Sequence, residues 1–341
     1  MRNDGEMVAS IHDVAQRAGV SPRTVSNVVN DFVHVRAETR TRVQAAIDEL
    51  GYHPNISARR LRQGKTRILA FAVPELSQPY FSELSELVER EAQSRGYTVI
   101  AAQTGGTLER ELAFLRDFTS HVVDGLILSP MTMSAAELAA HAPSVPLVLI
   151  GEQISSEDYV DIAIDNVRAV RMATEHLIAT GRRRIAALGA FSSQDYRSPS
   201  LRLEGYRTAL EAAGIPFDED LVLYTDRYGR DAGRAAVTRA IDRGIDFDAI
   251  VSFNDVLALG ALRALADRGV TSPGTVAVTG MDDIEDSAFC VPSLTTISPD
   301  KAAIAASAVT RLLELIDDSS TEAADIQHDF RLVVRESSSP S

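Results

Sequence analysis

Pro22, Arg23 and Asn27 project from one side of a short apolar periodicity, and their types suit the reading of base edges. A guanidinium pairs bidentately with O6 and N7 of guanine, and a carboxamide with N6 and N7 of adenine. Around them Ser10, Ser21, Thr24, Ser26, Asn30 and His34 offer groups that suit phosphate oxygens, contacts that fix register without reading sequence. A second group follows at Asn55, Ala58, Arg59, Leu61 and Arg62. Here a leucine sits among arginines, which is poor surface placement but a workable wedge between base steps of a minor groove, with Arg62 beside it. Plainer alternatives stand next to these: a helical pair from an unrelated domain, and for Leu61 an ordinary apolar contact with the rest of the chain.

The elements that must position these groups are short helices. Ser10 precedes Ile11, Val14, Ala15 and Ala18, a spacing that gives a helix with one buried stripe, which Ser10 caps and Gly19 ends. Ser21 caps a second helix with Pro22 at its first position, running to about Asn30, with Val25, Val28 and Val29 inward. A third runs from about Ala37, with Val43, Ala46, Ile47 and Leu50 inward and Gly51 as its stop. Two short helices across a tight glycine-containing turn, with a supporting third, make a helix-turn-helix whose second helix enters a major groove N-terminus first. His53-Pro54 then breaks the chain. Residues 55–63 are too short to hold a helix alone in water. Phosphates that neutralise Arg59 would let the segment fold on DNA.

The charge distribution agrees. The 341 residues carry a net charge of −14, which alone argues against nucleic acid. Residues 1–67, however, hold eleven Arg/Lys against seven Asp/Glu, and the remainder holds 23 against 41. A basic head on an acidic body is the footprint of a nucleic-acid reader with a second task. Apolar content of 45% and charged content of 24% are those of a water-soluble globular chain. No apolar run approaches the roughly 20 residues of a membrane span, so no membrane partner is expected. The N-terminus lacks the roughly 7–15-residue apolar stretch of a secretory signal. Cys290 is the sole cysteine, so no intrachain disulfide can form. Both points make the cytoplasm the expected location.

The segment Ser10-Ile-His-Asp-Val-Ala-Gln-Arg-Ala-Gly-Val-Ser-Pro-Arg-Thr-Val-Ser-Asn-Val-Val-Asn30 closely resembles the head of the lactose-repressor/galactose-repressor family of bacterial transcription regulators. So do Glu38-Thr-Arg-Thr-Arg-Val43, Leu50-Gly-Tyr-His-Pro-Asn55 and Ala58-Arg-Arg-Leu61. The resemblance extends over nearly the whole chain. It implies that Pro22, Arg23 and Asn27 read bases, that Leu61 is a minor-groove lever and that Arg62 is its basic neighbour. The Pro22-Arg23 pair departs from the best-known members, so their operator sequences do not transfer.

From residue 66 onward, apolar runs such as Ile68–Val73, Gly125–Leu128, Leu147–Ile150 and Ala249–Ser252 alternate with amphipathic helical stretches such as Val167–Thr180, Arg230–Arg243 and Lys301–Asp317. Such alternation predicts an α/β fold with parallel sheets covered on both faces. Nine or more strands suit two doubly wound lobes better than one sheet, with a ligand cleft at the carboxyl ends of the strands. The expected plan is a tail over 1–8, a helix-turn-helix domain over 9–52 and a hinge over 53–66. An effector-binding and dimerisation domain follows over 67–338, with an N-lobe over about 67–165 and 298–326 and a C-lobe over about 166–297 and 327–338. No Gly-rich phosphate loop, metal-ligand spacing or nucleophile elbow occurs, so no cofactor, metal or catalytic residue is expected, and the chain does not read as an enzyme.

The resemblance implies a two-lobed, periplasmic-binding-protein-like sensor. Asp165-Asn166, Phe253-Asn-Asp255, Gly280-Met-Asp-Asp283 and Arg202-Leu-Glu-Gly-Tyr206 match its strand ends and its effector-binding arginine. The chemistry suits a sugar. Asp165, Arg202, Asn254 and Asp282 would fix hydroxyls, and Phe81 and Tyr228 would cover an apolar face. Each has a plainer reading: Asp165 or Asp282 caps a helix, Phe81 is core, Arg202 neutralises Asp282 or Glu204. The chain thus reads as a homodimeric transcription regulator, a repressor, that binds near-palindromic double-stranded operator DNA under control of a small effector, a sugar. C-terminal leucine heptads are missing, which favours a dimer over a tetramer. Control by a nucleobase or a protein corepressor is the alternative, and a sugar-binding component of a transport system is the rival from another class. If Leu61 is the lever, Leu61→Ala weakens operator binding and leaves effector binding intact. Unchanged operator affinity in a fluorescence-anisotropy titration would remove that role.

Overall fold

In a computed structural model the structure describes residues 9–29, 32, 34–52, 65–118, 122–151, 154, 158–193, 196–317 and 325–339. The chain divides after Thr66 into two units. In the first, α1 (Ile11–Ala18), α2 (Pro22–Val29) and α3 (Ala37–Leu50) enclose Val14, Ala15, Ala18, Val25, Val28, Val43 and Ala46. Ser10 and Asp13 form a capping box at the start of α1. Gly19 and Gly51 close α1 and α3 in the left-handed region, φ 64° and 58°. The expected end of the second helix at Asn30, together with Asn55, Ala58, Arg59, Leu61 and Arg62, lies outside the described residues.

The second unit runs β1 (Ile68–Val73), α4 (Pro79–Ser94), β2 (Thr98–Gln103), α5 (Leu108–Asp117), β3 (Gly125–Leu128), α6 (Ala135–Ala140), β4 (Leu147–Ile150) and β5 (Val160–Ile164). It continues with α7 (Asn166–Ala179), β6 (Ile185–Ala190), α8 (Arg197–Ala212), β7 (Val222–Tyr224), α9 (Arg230–Asp242), β8 (Ala249–Ser252), α10 (Asp255–Asp267) and β9 (Ala277–Met281). The chain ends with α11 (Glu285–Phe289), β10 (Thr295–Pro299), α12 (Lys301–Asp317), β11 (Ile326–His328) and β12 (Phe330–Val333). Strands such as β3, β4 and β8 are buried along their whole length, as central strands of a sheet covered on both faces must be.

Two six-stranded sheets result, ordered β11-β5-β4-β3-β1-β2 in the N-lobe and β12-β10-β9-β8-β6-β7 in the C-lobe. Each repeats the doubly wound order in which the second strand lies outside the first, so each has a switch point beside its first strand, β1 or β6. Among the described residues the one antiparallel pairing is β12 on β10.

Two expected boundaries shift. β10 stays in the C-lobe sheet through Pro299, which pairs with Phe330, so the return to the N-lobe falls after 299 rather than 297. β11 pairs with β5 through His328, so the last crossing falls after 328 rather than 326. Short β11 and β12 carry no apolar run that would mark them as strands.

Helix pairs close tightly through glycines. A Cβ on Gly260 would lie 2.0 Å from the Arg230 carbonyl oxygen, and one on Gly233 would lie 2.3 Å from that of Leu257. The backbones of α9 and α10 therefore touch at two reciprocal points. Both contacts are with backbone, which cannot move aside cheaply. Gly260→Ala should cost about 1–3 kcal/mol or more as overpacking, read as a lower urea midpoint of the full chain. An unchanged midpoint would mean that the two helices part freely.

Candidate functional site

In the head, Arg23 is exposed on the first turn of α2, with Pro22 and Asn27 half-buried. The hydroxyls of Ser10 and Ser21 are used locally. Ser10 Oγ bonds Asp13 Oδ2 at 2.7 Å, and Ser21 Oγ meets Thr24 Oγ1 at 2.9 Å while accepting from Thr24 N at 3.2 Å. Their first duty is therefore to fix the starts of α1 and α2. His34 is exposed and packs edge-on to Phe32.

In the second unit a cavity of about 250 Å³ lies between the lobes. Its walls come from strand ends: Pro74 after β1, Ser129 after β3, Gly151 after β4, Phe191 after β6, and Met281 and Asp282 on β9 and just beyond it. Phe81, Arg202, Tyr228, Asn254 and Asp282 all line it. Asp165 does not. Its carboxylate accepts from Arg168 N at 2.8 Å and caps α7, which is the plainer reading, while its neighbour Asn166 lines the cavity.

Arg202 is held by Asn166, whose Oδ1 accepts from Nε at 2.7 Å, and by the Phe253 carbonyl. Its guanidinium lies 5.7 Å from the centroid of Tyr228. Tyr228 Oη is buried, near that cation, yet makes no hydrogen bond of normal geometry. Asn254 spends Oδ1 on capping α10, accepting from Leu257 N at 3.0 Å, and its amide nitrogen remains for the cavity. Tyr80 and Phe81 pack edge-to-face at 5.2 Å, and Phe191 and Tyr228 lie tilted to each other at 5.1 Å, so rings face the cavity from both lobes.

Asp282 sits at φ 119° and Asp283 at φ 48°, conformations uncommon for residues with side chains. Lys301 Nζ donates to both of their carbonyls, at 3.0 and 2.9 Å, and pairs with Glu83. Glu83 Oε1 also accepts from Glu285 N at 3.1 Å. Two N-lobe helices, α4 and α12, thus grip the C-lobe loop that carries Asp282. Burial pushes the Asp282 carboxyl from 3.8 up to about 8, against the pull of Arg202 and Lys301 and with help from Asp255 and Glu83.

A family model described as periplasmic binding proteins and sugar binding domain of LacI family matches residues 66–334, and one described as bacterial regulatory proteins, lacI family, matches residues 10–55. The chain belongs to the LacI family of DNA-binding transcriptional regulators. It is 32% identical over 333 residues to the HTH-type transcriptional repressor PurR of Pasteurella multocida, covering 97% of this chain and 98% of that one. The Lac repressor dimer bound to operator and the anti-inducer ONPF is similar at 28% identity and a TM-score of 0.85, covering 97% and 99% of the two chains. A complex of the regulator CelR with cellobiose is similar at 32% identity and a TM-score of 0.72, covering 96% and 99%.

Within this LacI-family body, sequence reasoning missed several cavity residues and the ion pair behind the Asp282 loop. Asn166 adjoins a residue that was singled out, and Tyr80 belongs to the Pro79-Tyr-Phe81 run, so local signals existed for both. Phe191 and Tyr196 had only their place after a strand to mark them. Glu83 and Lys301 are 218 positions apart, and only the fold brings them together. Because Asp282 keeps its proton in the folded chain to higher pH than in the unfolded chain, the folded state holds the extra proton in between, and stability falls as pH rises through that window. Asp282→Asn removes this loss. The melting temperature of the variant minus that of the parent should therefore increase from about pH 5 to about pH 9. A difference constant with pH would mean that Asp282 titrates like an exposed carboxylate.

Proposed function

We propose that this LacI-family regulator is a repressor, that two copies bind a near-palindromic operator, and that a sugar held between the lobes controls the binding. The observation that carries the effector assignment is Asp282. Its carboxyl group is buried at the cavity wall and makes no side-chain hydrogen bond with the described residues, while Arg202, fixed by Asn166 and Phe253, supplies the neighbouring positive charge. A carboxyl in want of partners, which donates when protonated and accepts in either form, a donor fork, an amide and rings on either side suit a ligand with hydroxyls on its rim and apolar faces. The matched family model, which carries the sugar-binding description, supports the same reading. The similarity to a Lac repressor dimer on its operator supports the dimer and the palindrome. Operator DNA as the partner supports a cytoplasmic location.

The effector acts by preferring one arrangement of the lobes. Three crossings, after β5, β10 and β11, connect them, and the Glu83–Lys301 pair adds a side-chain tie from the Asp282 loop to α4 and α12. A ligand that engages Asp282 and Phe81 together has a differential free energy for the two arrangements, which is what a shift of population requires. A second reading, control by a nucleobase, is favoured by one observation, the Phe191–Tyr228 ring pair, which could also stack a planar base.

Operator binding by the full chain, on a palindrome selected from random DNA, tests both. One sugar among a panel of mono- and disaccharides should change operator affinity by about 5–150-fold, the usual size of allosteric coupling. Arg202→Ala should erase that response and leave unliganded operator affinity unchanged. A response to adenine, guanine or hypoxanthine in place of sugars would move the assignment to the second reading. A response only to a purified protein partner would remove the small-effector proposal.

A further inference from the structure

Beyond β12 the chain reads Val334-Arg-Glu-Ser-Ser-Ser339, a polar stretch whose composition marks no element. The fold nevertheless buries part of it. Ser337 is fully buried and Ser338 is 2% exposed. Ser337 Oγ donates to the Val278 carbonyl at 2.6 Å and accepts from Thr295 N at 2.8 Å, while the Ser337 carbonyl accepts from Val278 N at 2.8 Å. Thr295 Oγ1 accepts from Arg335 N at 2.8 Å and from Ser338 Oγ at 2.7 Å, and it donates to the Arg335 carbonyl at 3.0 Å. A buried hydroxyl is costly unless paired, so these bonds fix the tail in register against β9 and β10.

That register brings Arg335 to the loop after β9. Nη1 donates to the Leu294 carbonyl at 2.8 Å, and Nη2 donates to Asp283 Oδ1 at 2.7 Å. The Arg335 and Asp283 side chains are 19% and 17% exposed, so solvent screens the pair little. Asp283 follows Asp282, which lines the cavity, and both stand at positive φ. Such conformations persist only where their surroundings hold them. Lys301 holds the two carbonyls, and Asp255 holds the amide of Ile284. Among the described residues, Arg335 alone bonds the Asp283 side chain. We propose that Arg335 is a positioning residue for the effector: by holding Asp283 it aims Asp282 into the cavity, and the polar tail is part of the support of the binding site. This rests on the reading that the effector engages Asp282.

The geometry separates aiming from general stabilisation. Ser337 and Ser338 secure the tail to β9 and β10 without Arg335. The guanidinium adds a charged, two-armed link between the segment that leads into β10 and the loop that bears Asp282. Lysine could hold Asp283 as a point charge but could not reproduce the fork.

Isothermal titration of the full-length protein with glucose, galactose, ribose, cellobiose, guanine and hypoxanthine identifies a compound that binds the parent chain. Arg335→Ala should weaken that compound by about tenfold, or 1.4 kcal/mol, and leave operator affinity in its absence unchanged. Asp283→Asn, which keeps a residue type suited to positive φ, should weaken it less. The double variant should bind no more weakly than Arg335→Ala, because both changes remove one link. Arg335→Lys should stay within about threefold of the parent. Parental affinity in Arg335→Ala, or losses that add in the double variant, overturns the positioning role and leaves the central site standing. Parental affinity in Asp282→Ala removes Asp282 from the site and the proposal with it. Hydrogen exchange needs no ligand. The bonded amides of Asp282 and Ile284 should exchange about tenfold faster in Arg335→Ala, with those of β1 to β5 unchanged. An unchanged rate overturns the hold of the tail on the loop.

Discussion

The cavity face of the C-lobe depends on one buried carboxyl group, that of Asp255. Oδ1 accepts from Thr296 Oγ1 at 2.6 Å, and Oδ2 accepts from Ser287 Oγ at 2.7 Å and from Ile284 N at 3.1 Å. These bonds join the start of α10 to β10, to α11 and to the loop after β9. Burial pushes the carboxyl up to about 7, against the three hydrogen bonds that favour its charged form, with Asp283 adding to the rise. The first turn of α10 offers a further favourable partial charge. Room for the group comes from Gly280, where a Cβ would lie 2.1 Å from Asp255 Oδ1. The turn that lifts Asp282 into the cavity at positive φ therefore has its shape fixed from beneath by Asp255 and from the side by Lys301.

That arrangement determines how the lobes can communicate. The loop bearing Asp282 belongs by sequence to the C-lobe, yet its carbonyls are held by Lys301, the first residue of an N-lobe helix, and through it by Glu83 on α4. The pair is mostly sheltered, with side-chain exposures of 14% and 31%, so solvent screens it less than it screens the surface ion pairs elsewhere in the chain. Gln78 adds a second tie, donating from Nε2 to the Tyr228 carbonyl at 2.6 Å. A ligand that draws on Asp282 or Tyr228 thus acts on groups already bonded across the cleft. Little displacement is needed for the other lobe to respond.

The fold was legible where strands are wholly buried and helices carry one apolar stripe, as in β3, β4, β8 and α12. It was less legible at the lobe crossings, because β11 and β12 are short and half-exposed and their pairing partners are distant in sequence. The candidate site shows the same division. Arg202, Asn254 and Asp282 could be chosen because polar residues at strand ends and in a family motif have few other reasons to be there. Asp165 shared that pattern but serves a helix start, and only geometry separates a capping carboxylate from a ligand-facing one. Glu83 and Lys301 carry no local mark. Their meaning comes from what the fold packs against them.

The division of charge between head and body has a physical consequence for regulation. With 41 acidic against 23 basic residues after position 67, the body repels a phosphate backbone, so the attraction must come from the head and the arginine-rich stretch that follows it. Binding confined to few basic groups is weak for each head alone, because each neutralised phosphate adds to both the affinity and its salt dependence. If two copies pair as proposed, two heads held together gain from effective concentration what one cannot. A ligand bound in the body would then change operator affinity without touching the DNA-reading residues, provided that it binds one arrangement of the lobes better than the other.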